Sequence, residues 1–147
     1  QVIGINAAIF GNSYQGISFA IPSALAREKY EELRTKGTIV RAWLGISPGQ
    51  VPDEVREKLG LKLGEGVYVG SVEKTAPAGR NGIRKGDVIL KWNDHIASDP
   101  TLLSRAIAAT EIGSTAKIVL ARGRSTSGDK EQVELDVKVE LRPPDRF

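Results

Sequence analysis

The chain has 147 residues and a formal net charge of +3, with hydrophobic residues at 40%, charged residues at 27% and no cysteine. That length suits one comfortable domain, or a small domain with an appendage, and the lack of cysteine excludes disulfides, thiolate metal sites and cysteine nucleophiles. The 21 basic against 18 acidic residues are too balanced to argue for a nucleic-acid binder, and no apolar run approaches the roughly 18 residues of a membrane-spanning helix.

The opening run Val2 to Ile9 is apolar and rich in β-branched residues, and Ile17, Phe19 and Ile21 alternate with Ser18 and Ala20. Two such runs around the polar loop 11–16 predict a β-hairpin. Pro22 and Ser23 open a predicted helix, ALAREKYEELRTK, in which Leu25, Ala26, Tyr30 and Leu33 follow helical spacing and Gly37 supplies a stop. A lone hairpin is marginal in water. Residues 1–37 therefore read as the tail of another domain plus a connecting helix, and a chain that opens in mid-strand looks like a fragment. The boundary is expected near Gly37–Arg41.

From Trp43 the pattern changes. A short strand LGIS precedes a predicted helix PDEVREKLG (52–60), with Pro52 at the first helical position and Val55 and Leu59 sharing a face. Then come the strand GVYVGSV (66–72), the compact turn APAGRNG and the strand GDVILKW (86–92). Asp99 is the natural N-cap of a helix with Pro100 at N1, running through TLLSRAIAAT and closed by Gly113. AKIVLAR (116–122) and EQVELDVKVEL (131–141) alternate as strands around a long tip, 123–131. About five strands and two helices in some hundred residues make a small α+β domain.

Gly11-Asn12-Ser13 mimics the presentation of a nucleophilic serine. Such a serine needs a base within hydrogen-bond reach, and that base needs an orienting carboxylate. The single histidine, His95, lies beyond the expected domain boundary. Asn12, Ser13 and Tyr14 are ordinary turn composition. We read Ser13 as a loop residue and His95 as an exposed turn residue; His95 plus carboxylates would be needed for zinc. No glycine-rich phosphate cradle and no calcium-type spacing of acidic residues is present. No catalytic residue, metal ligand or cofactor is assigned.

A recognition site is better supported. In Arg41-Ala42-Trp43-Leu44-Gly45-Ile46, a glycine sits where the linker becomes the first strand of the new domain. Positive φ at that glycine would let successive N–H groups converge into an anion-holding nest, and a free strand edge behind it would accept an extended peptide. A β-bulge at a strand start is the alternative for the same residues.

The segment TAPAGRNGIRKGDVILKWNDH (75–95) resembles the PDZ-domain signature through Pro77, Ala78, Gly82, Gly86, Asp87, Val88, Ile89 and Asn93. VIGINAAIF, GISFAIPSALA and RAWLGI resemble the junction between the protease and PDZ domains of HtrA/Deg-type serine proteases. The resemblance covers essentially the whole chain. It implies an α+β PDZ-like fold, a five- to six-stranded β-sandwich or partial barrel capped by two helices and preceded by a β-hairpin and linker helix. The implied division is 1–37 for the end of a trypsin-like protease domain with its connecting helix, 38–143 for the PDZ domain and 144–147 for a tail. In that family the catalytic Gly-Asn-Ser-Gly-Gly-Pro segment precedes the strand matching Val2 to Ala8, so the catalytic triad would lie outside this chain. The loop holding Ser13 would correspond to a regulatory loop.

By the same resemblance Trp43, Leu44, Gly45 and Ile46 form the carboxylate-binding loop. Leu44 and Ile46 would wall the pocket for the ligand's last side chain, Arg41 would help hold the carboxylate, and Leu103, Ala106 and Ile107 would line the helical side of the groove. No histidine starts that helix, which implies apolar C-termini as ligands. The implied role is substrate recognition and control of proteolysis in protein quality control, within a periplasmic parent protease that is a homotrimer or higher oligomer. A stand-alone PDZ adaptor is the alternative, and a basic-surface binder of nucleic acid or membrane is a weaker third. Gly79 and Asn81 stand where small apolar residues are usual, so that turn is expected to pack more loosely. The terminal Phe147 is itself an apolar ligand, expected to occupy its own groove or a neighbour's. The hairpin 2–21 is expected to self-associate or lack order.

Overall fold

A computed structural model describes residues 2–9, 18–39, 41–123 and 130–142 of the chain. The loop carrying Ser13, the tip of the long hairpin and Phe147 lie outside the described residues. The chain packs as two units, divided between Val40 and Arg41.

In the first unit β1 (Gly4–Ile9) pairs antiparallel with β2 (Ser18–Pro22), with a register shift between Asn6 and Ala8. Helix α1 (Ser23–Lys36) starts directly after β2. Ser23 N–H donates to the Ile3 carbonyl at 3.0 Å, which pins the helix start to the hairpin in place of a side-chain cap. At its end the Gly37 amide donates to the Leu33 carbonyl. The expected apolar face is not the covered one: Leu25, Tyr30 and Leu33 are exposed, whereas Ser23, Ala26, Lys29 and Glu32 are half-buried.

The second unit is built from β3 (Ala42–Trp43), β4 (Ile46–Gly49), α2 (Asp53–Lys58), β5 (Val67–Val72), α3 (Pro77–Arg80), β6 (Val88–Trp92), β7 (His95–Ile96), α4 (Pro100–Ala109), β8 (Thr115–Gly123), β9 (Lys130–Lys138) and β10 (Glu140–Leu141). Six of these strands form one antiparallel sheet in the order β4-β5-β6-β8-β9, with β7 paired to β6. β3 and β10 form a separate pair. The α+β class holds, and no barrel closes among the described residues.

Several elements differ from expectation: β3 and β7 are additional, the LGIS strand begins only at Ile46, and Pro52 caps α2 instead of opening it. The APAGRNG turn contains a helical turn, α3, with Pro77 at its start. The single strand expected over 131–141 breaks at Val139, whose amide donates to the Ser114 carbonyl and whose carbonyl accepts from Gly113. With its polar groups turned to that loop, Val139 ends the pairing with β8, and β10 passes to β3.

The core lies between the main sheet, α4 and the β3–β10 pair. Trp92, Leu44, Val67, Val69, Ile89, Ile118, Leu120, Val137 and Val139 are essentially inaccessible, and Leu103 and Ile107 of α4 join them. Each such side chain contributes about 1.5–3 kcal/mol by leaving water. The neighbouring positions Val88 and Ala121 face the other side, where Leu59 and Leu61, just beyond α2, pack on them. Strand alternation thus builds two apolar layers from one sheet. Among the described residues Asp87 is the sole buried charged one, 1% exposed, and holds the turn before β6 closed. It accepts from Arg122 through both oxygens at 2.8 Å and from the Arg84 amide at 2.7 Å, while Arg122 also donates to the Gly82 carbonyl. The hydrogen bond to Asp87 raises the pKa of the Arg122 guanidinium further above its ordinary value, against a smaller opposing effect of burial.

Candidate functional site

The segment from Arg41 to Ile46 crosses from β3 into β4 with the carbonyls of Leu44 and Gly45 already committed. The Leu44 carbonyl accepts from the Ala78 amide and the Gly45 carbonyl from the Glu73 amide, each at 2.9 Å. The described peptide bonds are all trans, so the N–H across each peptide plane points opposite to its C=O. The amides of Gly45 and Ile46 therefore point away from the Glu73–Ala78 segment. Among the described residues, neither the Leu44 nor the Gly45 amide has a backbone acceptor.

Gly45 makes this geometry possible in two ways. Its φ is +77°, in the left-handed region, and a Cβ there would come within 2.1 Å of the Ala76 Cβ. Any other residue would be both strained and in collision. Consecutive amides around a left-handed residue converge, and such a nest holds an anion.

The backing of the loop is tight as well. A Cβ on Gly79 would lie 2.4 Å from the Glu73 carbonyl oxygen, and Asn81 donates from its side chain to the Pro77 carbonyl at 2.8 Å. The turn expected to be loose is instead closed by the very residues that depart from the usual pattern: glycine admits the backbone of Glu73 and Lys74, and asparagine caps α3.

Behind the nest, β4 is the terminal strand of the main sheet, bonded on one side to β5. Its other edge is free among the described residues. Leu44 is buried in the core together with Leu103 and Ile107, and Ile46 is half-buried against the same cluster. Ala106 is likewise half-buried against this cluster. With Leu102, Leu103, Trp92, Ile96 and Ala97 it lines a neighbouring apolar depression of about 260 Å³ between α4 and the β6–β7 hairpin. Helical spacing puts Ser104, four residues after Pro100, on the opposite flank of α4. Asp99 caps that helix, its Oδ1 accepting from Thr101 and Leu102 at 2.8 and 2.9 Å.

A second, more polar depression of about 430 Å³ adjoins the nest, lined by Trp43, Gly45, Ile46, Ser47, Ser71, Val72, Glu73 and Arg142. Sequence reasoning missed Arg142, Glu73 and Ser71. Arg41 and Arg142 are joined through the backbone, the Arg142 amide donating to the Arg41 carbonyl at 3.1 Å, and it is Arg142 that lines this depression. The outward position of Ser71 in GVYVGSV was a readable signal, and its hydroxyl does meet that of Ser47 at 2.9 Å.

The family model for the PDZ domain matches residues 42–139. The chain belongs to the PDZ domain family. It is 38% identical over 139 residues to a probable periplasmic serine endoprotease DegP-like of Rhizobium meliloti, covering 93% of this chain and 27% of that protein. The corresponding protein of Rickettsia prowazekii is 36% identical over 141 residues, 95% of this chain and 26% of the relative. The chain thus spans about a quarter of the length of these curated relatives. Among solved structures, the HtrA-type protease AlgW with a tripeptide superposes with a TM-score of 0.83 at 39% identity, covering 97% of this chain and 46% of that one. AlgW S227A with a decapeptide gives 0.82 at 39% identity, covering 99% and 43%. The PDZ architecture, and the likeness to HtrA-type serine proteases read from the junction segments, both stand.

Proposed function

We propose that this PDZ domain captures the free C-terminal carboxylate of an extended, apolar-ended peptide in the Leu44–Ile46 nest and adds that peptide as a strand to the free edge of β4. The observation that carries this reading is the pair of committed carbonyls at Leu44 and Gly45, which turn the following amides outward at the head of an unpaired strand. Ile46 supplies apolar surface for the last side chain, with Leu44, Leu103 and Ile107 buried behind it. Arg41 and Arg142 bring positive charge toward the carboxylate. Titration with a peptide ending in a free valine, followed by amide NMR, should shift Leu44, Gly45 and Ile46 most. Shifts concentrated at Ile96, Ala97 and Leu102 would place the ligand in the other depression and contradict the assignment.

The wider role follows from the likeness to HtrA-type proteases. We assign residues 1–37 to the end of a trypsin-like protease domain with its connecting helix, 38–143 to the PDZ domain and 144–147 to a tail. The exposed apolar side chains of the first unit support its belonging to a larger domain. Proteolysis would then be the work of a periplasmic, oligomeric parent, with this domain recognising apolar tails of damaged proteins and carrying no catalytic triad itself. Self-ligation by Phe147 belongs to the same reading. A Phe147→Asp variant should bind added peptide more tightly, and unchanged affinity would refute self-ligation.

A further inference from the structure

The sequence Ile46-Ser47-Pro48-Gly49 puts a proline inside the strand that is to receive the peptide, and proline has no N–H to donate. What this does to binding depends on which way residue 48 faces. The Gly45 carbonyl is bonded to Glu73 of the β5 side, so Ile46, one residue on and paired with Val72, turns its polar groups away from β5. Ser47 turns back toward β5. The register shift between Ser47 and Pro48 leaves an extra residue on β5, and Pro48 then stands opposite Val69. The Val69 amide donates to the Asp87 carbonyl and its carbonyl accepts from Gly86, both at 2.9 Å, so Val69 faces β6. The Pro48–Val69 pair is therefore not hydrogen-bonded. The backbone of Pro48 faces the free edge, where proline is tolerated in a sheet.

An antiparallel peptide whose carboxylate sits in the nest meets the outward residues of β4 in order. Its last residue pairs with Ile46, exchanging two hydrogen bonds. Its third-from-last residue pairs with Pro48. That residue can donate its N–H to the Pro48 carbonyl, but its own carbonyl faces a ring carbon where a donor would otherwise be. β4 ends one residue later, at Gly49.

We propose that Pro48 truncates the peptide ladder, so that binding rests on the carboxylate, the last residue's side chain and N–H, and one remaining backbone bond at the third-from-last residue, whose carbonyl goes unread. This rests on the carboxylate-capture reading above. The same proline would also hinder pairing of β4 with a second copy of the chain.

The test is a cycle between residue 48 and that carbonyl, run on this chain by isothermal titration. The probes are a decapeptide ending in free valine, its twin with an ester in place of the amide between the third- and second-from-last residues, and its C-terminally amidated twin. The ester weakens the carbonyl in question and removes an N–H that faces away from β4. Wild type should bind the amide and ester peptides within about twofold. Pro48→Val and Pro48→Ala, which restore the donor, should bind the amide peptide ~3–10-fold more tightly and lose that gain with the ester, as expected for one hydrogen bond. A wild type that loses threefold or more with the ester overturns the proposal. So does a variant that melts like wild type yet gains nothing, including one that self-associates instead. If a variant fails to fold, the amide–ester comparison on wild type decides alone. Binding that is absent, or indifferent to amidation, overturns carboxylate capture and the proposal with it.

Discussion

The two units of this chain use the same apolar vocabulary to opposite effect. In the first, Ile3 is 85% exposed and Phe19 54%; in the second, Val67 and Val69 are 0% exposed. The difference is not one of strand propensity, since both regions are β-branched and alternate. A strand gains its stability from what covers its faces and edges, and among the described residues the hairpin β1–β2 has little beyond α1. The second unit has a sheet covered on one face by α4 and on the other by Leu59 and Leu61. That contrast predicts where substitution is felt.

The largest effect should come from the centre of the second unit. Trp92 is fully buried, and its indole donates to the Thr110 hydroxyl at 3.2 Å. Trp92→Ala should cost about 4 kcal/mol in urea denaturation. Asp87→Ala should cost about 3 kcal/mol, because it removes the buried carboxylate that pairs with Arg122 and leaves the Arg84 amide without its acceptor; a loss below about 1 kcal/mol would show that the pair is no more than a surface bridge. Gly45→Ala combines a left-handed φ with overlap on Ala76, and should cost about 2 kcal/mol while lowering peptide affinity more than about tenfold. At the small end, Ile3→Ser and Phe19→Ser together should move the main unfolding transition by less than about 0.5 kcal/mol. They should also reduce any self-association seen by sedimentation. A large loss of stability from that pair would mean that the hairpin is integral to the core, and the contrast would fail.

Much of this was legible beforehand, for reasons particular residues make plain. Asp99-Pro100 announced a capped helix, because an N-cap acceptor and an N1 proline act locally. Alternation in AKIVLAR located β8. The loop proposed to hold a carboxylate stood out because its glycine and the Pro-Ala turn carry backbone requirements that few residues meet. What escaped was decided at a distance. Val139 looks like a continuing strand until the 113–114 loop claims its backbone. Leu25, Ala26, Tyr30 and Leu33 follow helical spacing, but spacing does not say which of them meets a partner, and of the four Ala26 alone is half-buried. Arg142 comes to the site only because β10 pairs with β3, and the outward facing of Pro48 depends on a register shift in its neighbour.

The central claim is that the Leu44–Ile46 amides hold a free carboxylate. The most direct test is fluorescence anisotropy with one labelled peptide ending in valine and its C-terminally amidated twin. The account predicts saturable binding of the free acid and loss of most of that affinity on amidation. Equal binding of both forms would contradict it, leaving the peptide held as a strand or on an apolar patch with the nest unused.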